Sequence, residues 1–539
     1  MLDAAERSQL ETLFYSGRFT ELEDRARLLL TQHSGSGFIW NVLGLSLQMQ
    51  GKDGVAALQK ATELLPDDAD IHCKLGNALS DQGRLNEAEA SYRRALEIKP
   101  DYAEIHNNLS ITLKELGRLD EAEASYRRAL EIKPDYAEAH SNLGITLKGL
   151  GQLDEAIASY RRVLEIKPDF AEVHSNLASA LLELGRLGEA EASYRRVLEL
   201  KPDFAEALCD LGNVLWQLNR LDEAEASYRR ALEIKPDLAE AHCNLGNTLW
   251  QLNRPDEAEA SYRRALKIKP ELAIACCNMG GLLKSQGRLD EALACFQQYE
   301  SLKPGNCEMQ HQIASLMGIN TDRAPIQYIE NLFDTYAYKF DSHLQQRLKY
   351  EIPKKIVVLI TQHATLPGEK WNVLDLGCGT GLVGSAIAPF ARQLTGVDLS
   401  TKMLHMARAR NLYQRLEHQD LLVMMQHEKA SSYDVIIAAD VFIYLGKLDG
   451  IFSEIKRLLC PGGIAAFSIE AMETSSVGEA NQGVQPEYRL ELSGRYSHTP
   501  DFVTRLAIAD GFQVEKVVSA QIRTENGKPV NGYMVLLRS

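Results

Sequence analysis

No apolar run in this chain approaches the ~20 residues that span a bilayer. The longest stretches, such as Ile356 to Ile360 and Val435 to Leu445 with Asp440 inside it, stop well short. The first residues are charged and contain no apolar signal core, so no membrane association and a cytoplasmic location are expected. The nine cysteines form no C-x-x-C pair and no Cys/His set with zinc spacing, which argues against both a metal site and a disulfide frame. A basic surplus is also missing. The net charge is -15, with 37 Lys+Arg against 51 Asp+Glu in residues 1–324 and 22 against 23 in residues 325–539. An acidic first half and a near-neutral second half disfavour nucleic acid, whose phosphates need clustered cations. What remains, 45% hydrophobic and 25% charged over 539 residues, is globular material. That length suffices for about three to five domains.

What is present is first of all a period. Tyr or Phe recurs at 92, 126, 160, 194, 228, 262 and 296, and proline at 100, 134, 168, 202, 236, 270 and 304, each at a step of 34. In the unit Ala137 to Phe170, one helix bears Asn142, Leu143, Gly144 and Leu147. A turn follows at Gly151 to Asp154, and a second helix bears Ala156, Tyr160 and Leu164 before Pro168 ends it. Spacings of three and four place the apolar residues on one face, and Asp154 is expected to cap the second helix. Two short helices cannot bury such a face alone, so the copies must stack into an α-solenoid.

These residues resemble the tetratricopeptide repeat. Seven copies are read over residues 69–306, preceded by degenerate or capping repeats over 1–68 and followed by a capping helix and linker over 307–324. His72, His106, His140, His174 and His242 share the fourth position of the repeat; roughly 10 Å apart by helix packing, they cannot share an ion, and a packing role is expected. The sixth position carries Asn108, Asn142, Asn176, Asn244 and Asn278, interrupted by Lys74 and Asp210. The wording is also similar to the repeat arm of the O-linked N-acetylglucosamine transferases, where an asparagine ladder clamps the backbone of an extended peptide. That resemblance implies a protein or peptide in the concave groove here. Hydrogen bonding between helices is the alternative role, and the sequence leaves both open.

Beyond residue 324 the period changes. Trp371 to Leu376 reads as a buried strand, followed by Gly377-Cys-Gly379-Thr-Gly381, a helix from Leu382 to Arg392, and a second strand ending in Gly396-Val-Asp398. A helix from Lys402 to Arg410 and a fourth strand at Tyr433 to Asp440 continue an α/β doubly wound, Rossmann-like alternation, with ligand expected at the strands' carboxyl ends. The dinucleotide fingerprint is G-x-G-x-x-G, but Leu382 stands after G-x-G-x-G, and no G-K-[ST] follows. The motif instead resembles that of class I S-adenosylmethionine-dependent methyltransferases, and the whole chain resembles bacterial fusions of tetratricopeptide repeats to such a domain. Lid helices are read over 325–370 and the methyltransferase domain over 371–539.

The resemblance implies S-adenosyl-L-methionine as cofactor and assigns roles to individual residues. Asp375 would hold the amino end of its methionine part, Gly377, Gly379 and Gly381 would let the backbone approach the methionine part and the ribose, Cys378 is also read as cofactor-binding, and Asp398 would accept both ribose hydroxyls. Leu399 and Met403 would pack against the adenine, Asp420 would take its amino group, Leu421 is also read as cofactor-binding, and Ala439 and Asp440 would face the transferred methyl. Asp440 and His498 are candidate bases, with Tyr444 and Tyr496 shaping the pocket. The stripe at 329, 332, 333, 336, 340 and 344 is similar to a lid helix, with Tyr336 and Phe340 closing over the cofactor. Cys460 precedes a proline and Ala439 to Phe442 lacks [DN]-P-P-[YF], so the nucleic-acid methylase motifs are absent. The expected activity is methylation of a protein side chain recruited by the repeats. A small-metabolite acceptor and a non-catalytic peptide scaffold are the alternatives, and the oligomeric state is not readable.

Overall fold

The computed structural model describes residues 4–346, 350–364, 370–472, 486–525 and 527–539, and the side chains of 339 and 342–346 are also outside it. The last member of the lid stripe, Leu344, therefore lies outside the described side chains. The chain divides into two compact units, Met1–Ile268 and Lys269–Ser539.

The first unit is a solenoid of helix pairs, beginning with Ala4–Tyr15 and Phe19–Gln32, then Gly37–Met49 and Val55–Leu64. Six regular pairs follow, from Ala69–Asp81 with Leu85–Ile98 to Ala239–Gln251 with Pro255–Ile268. The period of 34 has a steric cause. A Cβ built on Gly144 would lie 2.5 Å from the ring of Tyr160, and Gly76, Gly212 and Gly246 meet Tyr92, Tyr228 and Tyr262 equally closely. The helices of a pair can thus approach only where this position is small, and Ser110 and Ala178 occupy it in the other two copies. The reversals at Gly83, Gly117, Gly151 and Gly185 use positive φ, and Asn219 and Asn253, which tolerate this conformation best among side-chain residues, take over in two copies. Asp154 does not cap its helix; Gln152 is the N-cap residue, and Asp154 lies inside the first turn, where its charge still favours the helix dipole.

Each repeat histidine reaches back six residues. His72, His106, His140, His174 and His242 bond through Nε2 to the carbonyls of Pro66, Pro100, Pro134, Pro168 and Pro236 at 2.8 to 3.1 Å. They pin the chain entry into each helix.

The second unit opens with a seventh pair, Ala273–Ser285 and Leu289–Leu302, and the helix Cys307–Met317. The compact division thus falls one repeat before the sequence boundary at 306. Within this unit Lys284 Nζ donates to Gln312 Oε1 at 2.5 Å, and His311 bonds the carbonyl of Gly494 far along the chain. Helices Ile326–Gln346 and Ile352–His363 precede a nine-stranded sheet. Its strands are β1 (Trp371–Leu376), β2 (Ala391–Asp398), β3 (Arg415–His418), β4 (Tyr433–Ala438), β5 (Leu459–Ala471), β6 (Tyr488–Leu490), β7 (Tyr496–His498), β8 (Gln513–Glu525) and β9 (Lys528–Arg538).

Strands β3, β2, β1, β4 and β5 are parallel in that order, and β9 joins β5 antiparallel with β8 outside it. The helix after β1 is shorter than expected: it ends at Ile387, because Pro389 forces a short 3-10 turn and β2 begins at Ala391. Apolar layers cover both faces of the sheet, one around Phe442, Phe452 and Phe467, the other around Ile356, Val373 and Ile437. Strand order reverses between β1 and β4, which opens a crevice at their carboxyl ends.

Candidate active site

That crevice holds a cavity of about 700 Å³. Gly377, Gly379 and Gly381 all take positive φ, so L side chains there would be strained. A Cβ on Gly377 would strike Val441 at 2.6 Å, whereas one on Gly379 would have only Phe340 nearby, at 4.0 Å across the cavity. The loop therefore presents bare backbone to a ligand. Asp398 fastens it: Oδ2 accepts from Gly379 N and Oδ1 from Ser400 N, each at 2.8 Å. Burial pushes the Asp398 carboxyl above its usual range against these bonds.

Asp375 lies beneath the loop, buried, with Oδ2 accepting from Tyr413 at 2.6 Å and Oδ1 without a partner among the described residues. Desolvation raises it to about 7, partly offset by the Tyr413 bond. Leu399 and Leu421 line the cavity, as do Cys378 and Ala439, whereas Met403 is wholly buried behind it. Asp420 is engaged on both sides. It caps the helix Leu421–His427 through Leu422 N and Val423 N, and Arg323 donates to its other oxygen at 2.6 Å. Arg323 is a cavity residue that the sequence reading missed, and only its placement before the lid helix could have drawn notice.

The lid helix Ile326–Gln346 covers the opening with Phe333, Tyr336 and Phe340. Two carboxylates latch it. Asp334 accepts from Ser400 Oγ at 2.5 Å, and Asp341 accepts from Thr380 Oγ1 and from Arg410.

At the opposite end of the cavity the structure gathers charge. Asp440 has φ 58, its amide donates to Ser468 Oγ at 2.8 Å, and Oδ2 faces Arg523 at 3.3 Å. Arg523 is buried and also binds Glu470 and Glu525, while Arg495 donates to Glu525 at 2.6 Å. Burial drives Asp440 upward, with the Arg523 charge opposing. Tyr444 lines this end, as expected. His498 and Tyr496 do not. His498 is fully buried in β7, stacked on Phe502, and donates Nε2 to the Gly446 carbonyl at 3.1 Å. Tyr496, also buried, shares a hydrogen bond of 2.5 Å with Thr321. A base role for His498 and a pocket-shaping role for Tyr496 are thereby corrected: a short added strand beside β5 turns both into the core. Arg495, Arg523 and Glu525 stand there instead, from segments that carry no motif.

Family models match both parts of the chain. Residues 374–467 match a family model described as methyltransferase domain. Tetratricopeptide-repeat models match from 67 to 271 in overlapping stretches and over 243–306. The chain joins tetratricopeptide repeats to an S-adenosylmethionine-dependent methyltransferase domain. The methyltransferase part is similar to ubiquinone biosynthesis O-methyltransferases. The one from Stutzerimonas stutzeri is 29% identical over 33% of this chain and 75% of its own length. That of Psychrobacter arcticus is 30% identical over 29% and 64%, and that of Thiobacillus denitrificans 27% identical over 37% and 86%. Among solved structures, YrrB, a tetratricopeptide-repeat protein with an unusual peptide-binding site, is 24% identical over 34% of this chain and 95% of its own, with a TM-score of 0.31. MamA is 25% identical over 30% and 94%, with a TM-score of 0.28.

The residues present fit S-adenosylmethionine. The glycine loop offers backbone without side chains, Asp398 offers a carboxylate for hydroxyls, and the partnerless Oδ1 of Asp375 is a buried acceptor beside the loop.

In the first unit, Asn108 Nδ2 donates to Asn77 Oδ1 at 3.0 Å and Asn244 Nδ2 to Asn213 Oδ1 at 2.8 Å, each joining successive repeats. Tyr92 and Tyr228 complete these clusters by donating to the same oxygens. Asn142 and Asn176 are half-buried and make no side-chain hydrogen bond among the described residues, because Ile111 and Ile145 stand where Asn77 and Asn213 do in the other pairs. Asn278, in the second unit, is half-buried. Among the described residues no cluster of His, Cys, Asp or Glu is placed to hold a metal.

Proposed function

We propose that this protein methylates an oxygen of a small, largely planar acceptor held at the Asp440 end of the cavity. The observation that carries this reading is the enclosure itself. Phe333, Tyr336, Phe340, Tyr350 and Tyr444 wall the space, and the latched lid helix covers it. A stacked ring suits such walls better than an extended polypeptide does. The names of the O-methyltransferase relatives favour oxygen as the accepting atom.

Bound S-adenosylmethionine would supply an electrophilic methyl group. The chain has three tasks besides holding it in the glycine loop and at Asp398. The aromatic wall excludes water and aligns the acceptor. Asp440, lifted by burial, takes the acceptor's hydroxyl proton, and Arg523 with Ser468 holds its carboxylate in place. Arg495 and Glu525 supply a donor and an acceptor that orient the acceptor's other polar groups.

A protein side chain as acceptor, the expectation drawn from the repeats, gains no support from the relatives. In this proposal the repeats capture a protein partner instead, and the cavity does the chemistry. Labelled S-adenosylmethionine and the full chain are added to a cell extract freed of its own methyl donor, and label is counted in solvent-extractable, protein and nucleic-acid fractions. Label in the extractable fraction is expected. Label chiefly in protein would reverse the reading, and no label anywhere, with cofactor affinity intact, would favour a scaffold.

A further inference from the structure

The helix Cys307–Met317 packs on Leu289–Leu302, the second helix of the seventh pair, and it also reaches the turn between β6 and β7. His311 is buried, and its Nε2 donates to the carbonyl of Gly494, the hairpin turn, at 2.8 Å. Its ring lies 5.2 Å from that of Tyr328 and 6.2 Å from that of Tyr496. Gly494 takes a φ of 80, and a Cβ there would meet Tyr328, Gln312 and His311 within 4 Å, so the turn is held from three sides. Nearby, Asn320 clamps β6 by donating to Tyr488 O at 3.0 Å and accepting from Leu490 N at 2.8 Å.

The residue after that turn is Arg495. Its side chain, 23% exposed, reaches the cavity between Tyr444 and Glu525. One peptide therefore separates a residue of the terminal repeat helix from a cation of the pocket wall. Gln312, next to His311, is tied in turn to Lys284 on the first helix of the seventh repeat.

We propose that the terminal repeat helix is part of the methyltransferase site: His311, acting through the Gly494 carbonyl, is a positioning residue that sets Arg495 at the acceptor end of the cavity. Nothing in the methyltransferase motif requires this helix. Its presence ties the seventh helix pair, through Lys284 and Gln312, to the pocket wall. Displacement of the helix would turn the Gly494 peptide and withdraw the guanidinium from Glu525. The inference rests on the reading of this end as the acceptor end, and its test needs no acceptor.

Arginine-selective labelling of the full chain with phenylglyoxal, followed peptide by peptide by mass spectrometry, reads the state of each guanidinium. In the native chain Arg495 should react slowly, shielded by Glu525 and Tyr444. His311→Ala should raise its rate several-fold while Arg410, beside the glycine loop, stays unchanged. His311→Gln, which can still donate to the Gly494 carbonyl, should restore slow labelling. An unchanged Arg495 rate in His311→Ala would overturn the proposal. So would a common rise of Arg495 and Arg410, which would mean loosening of the whole unit. So would failure of the Gln variant to recover with an unaltered thermal transition. Because no transfer is measured, a positive footprint can stand beside a failed search for a small acceptor, and the two readings fail separately.

Discussion

The two units solve opposite problems with the same backbone. Residues 1–268 repeat one set of contacts: glycine or a small residue against tyrosine, histidine against a proline carbonyl, and arginine at the turn against glutamates such as Glu89, Glu191 and Glu225. Those ion pairs are exposed on at least one side and weigh little singly. Residues 269–539 concentrate the exceptions at one edge of a sheet: Asp440 at positive φ, a buried arginine among three carboxylates, and an aspartate with a partnerless oxygen. An array spreads its stability over many equivalent small terms, whereas a catalytic edge tolerates local cost because a rigid sheet holds it.

The sharpest break between the units should come from Asp398. Its carboxylate fastens the glycine loop and is the expected partner of two ribose hydroxyls. Asp398→Asn keeps one acceptor and removes the charge, and affinity for S-adenosylhomocysteine should fall by about 3 kcal/mol, on the order of 100-fold. Calorimetry on the full chain reads this. Hydrogen exchange in residues 69–268 should not move; a change there would deny the separation of the two units.

The next effect is on pH. His498 is pulled down to about 4 by burial, and Asp375 is raised to about 7 by the same cause. The buried neutral histidine contributes stability that is complete above the ordinary histidine range and is lost as pH falls from about 6.5 toward 4. The raised aspartate works the other way: its folded form binds the proton more tightly than the unfolded chain, so stability is lost as pH rises from about 4 toward 7. Between those limits the contributions of these two groups oppose each other. Relative to the native chain, Asp375→Asn should shift the slope toward loss in acid by up to about 1.4 kcal/mol per pH unit, and His498→Gln should shift it toward loss in base by a similar amount. Exchange-derived opening energies for the sheet, corrected for intrinsic rates, distinguish the two signs. Equal signs in both variants would refute the assignment of these charges.

The same contrast explains what could be read in advance. The repeat was legible because its constraint is periodic: Gly144 and Tyr160 recur with their partners every 34 residues, and only small residues replace the glycine. The glycine loop and Asp398 were legible because backbone exposure and the carboxylate sit within one strand-turn-helix segment. Arg495, Arg523 and Glu525 were not, since the first stands in the turn just before β7 and the other two at the end of β8, segments that only the folded sheet brings together. His498 misled for a related reason: Arg495 leaves the turn toward the cavity, whereas β7, which follows it, buries His498 in the core. The latching of the lid through Asp334 and Asp341 likewise depends on a fold contact between residues more than 35 positions apart.

A smaller effect tests the array's packing. Gly144→Ala places a methyl 2.5 Å from the Tyr160 ring. Overpacking typically costs about 1 to 3 kcal/mol. Since Ala178 already faces Tyr194 in the next copy, the cost should sit near the lower figure, read as faster exchange in residues 137–166 with cofactor affinity unchanged. An undisturbed array would mean that the ring moves aside freely and that the small residue has another cause.

The smallest effect separates two kinds of asparagine within the array. Asn108 and Asn244 are bridges, each donating to an asparagine of the preceding repeat, and replacing both by Ala should cost about 1 kcal/mol per site. Asn142 and Asn176 make no such bond, so their double replacement by Ala should change stability by no more than about 0.5 kcal/mol. If the groove holds an extended peptide by its backbone, the second pair carries that work, because its amides have no prior commitment to the protein. Capture of a partner from extract should then fall for Asn142→Ala with Asn176→Ala and persist for Asn108→Ala with Asn244→Ala, once folded fractions are equalised. The salt response refines the outcome. A basic partner drawn by the acidic array should associate more slowly at high ionic strength in both variants, whereas amide contacts to backbone should weaken only in the first and independently of salt. Loss of capture in the bridging pair alone would mean that the groove's shape, set by repeat-to-repeat bonds, matters and that the uncommitted amides do not touch the peptide.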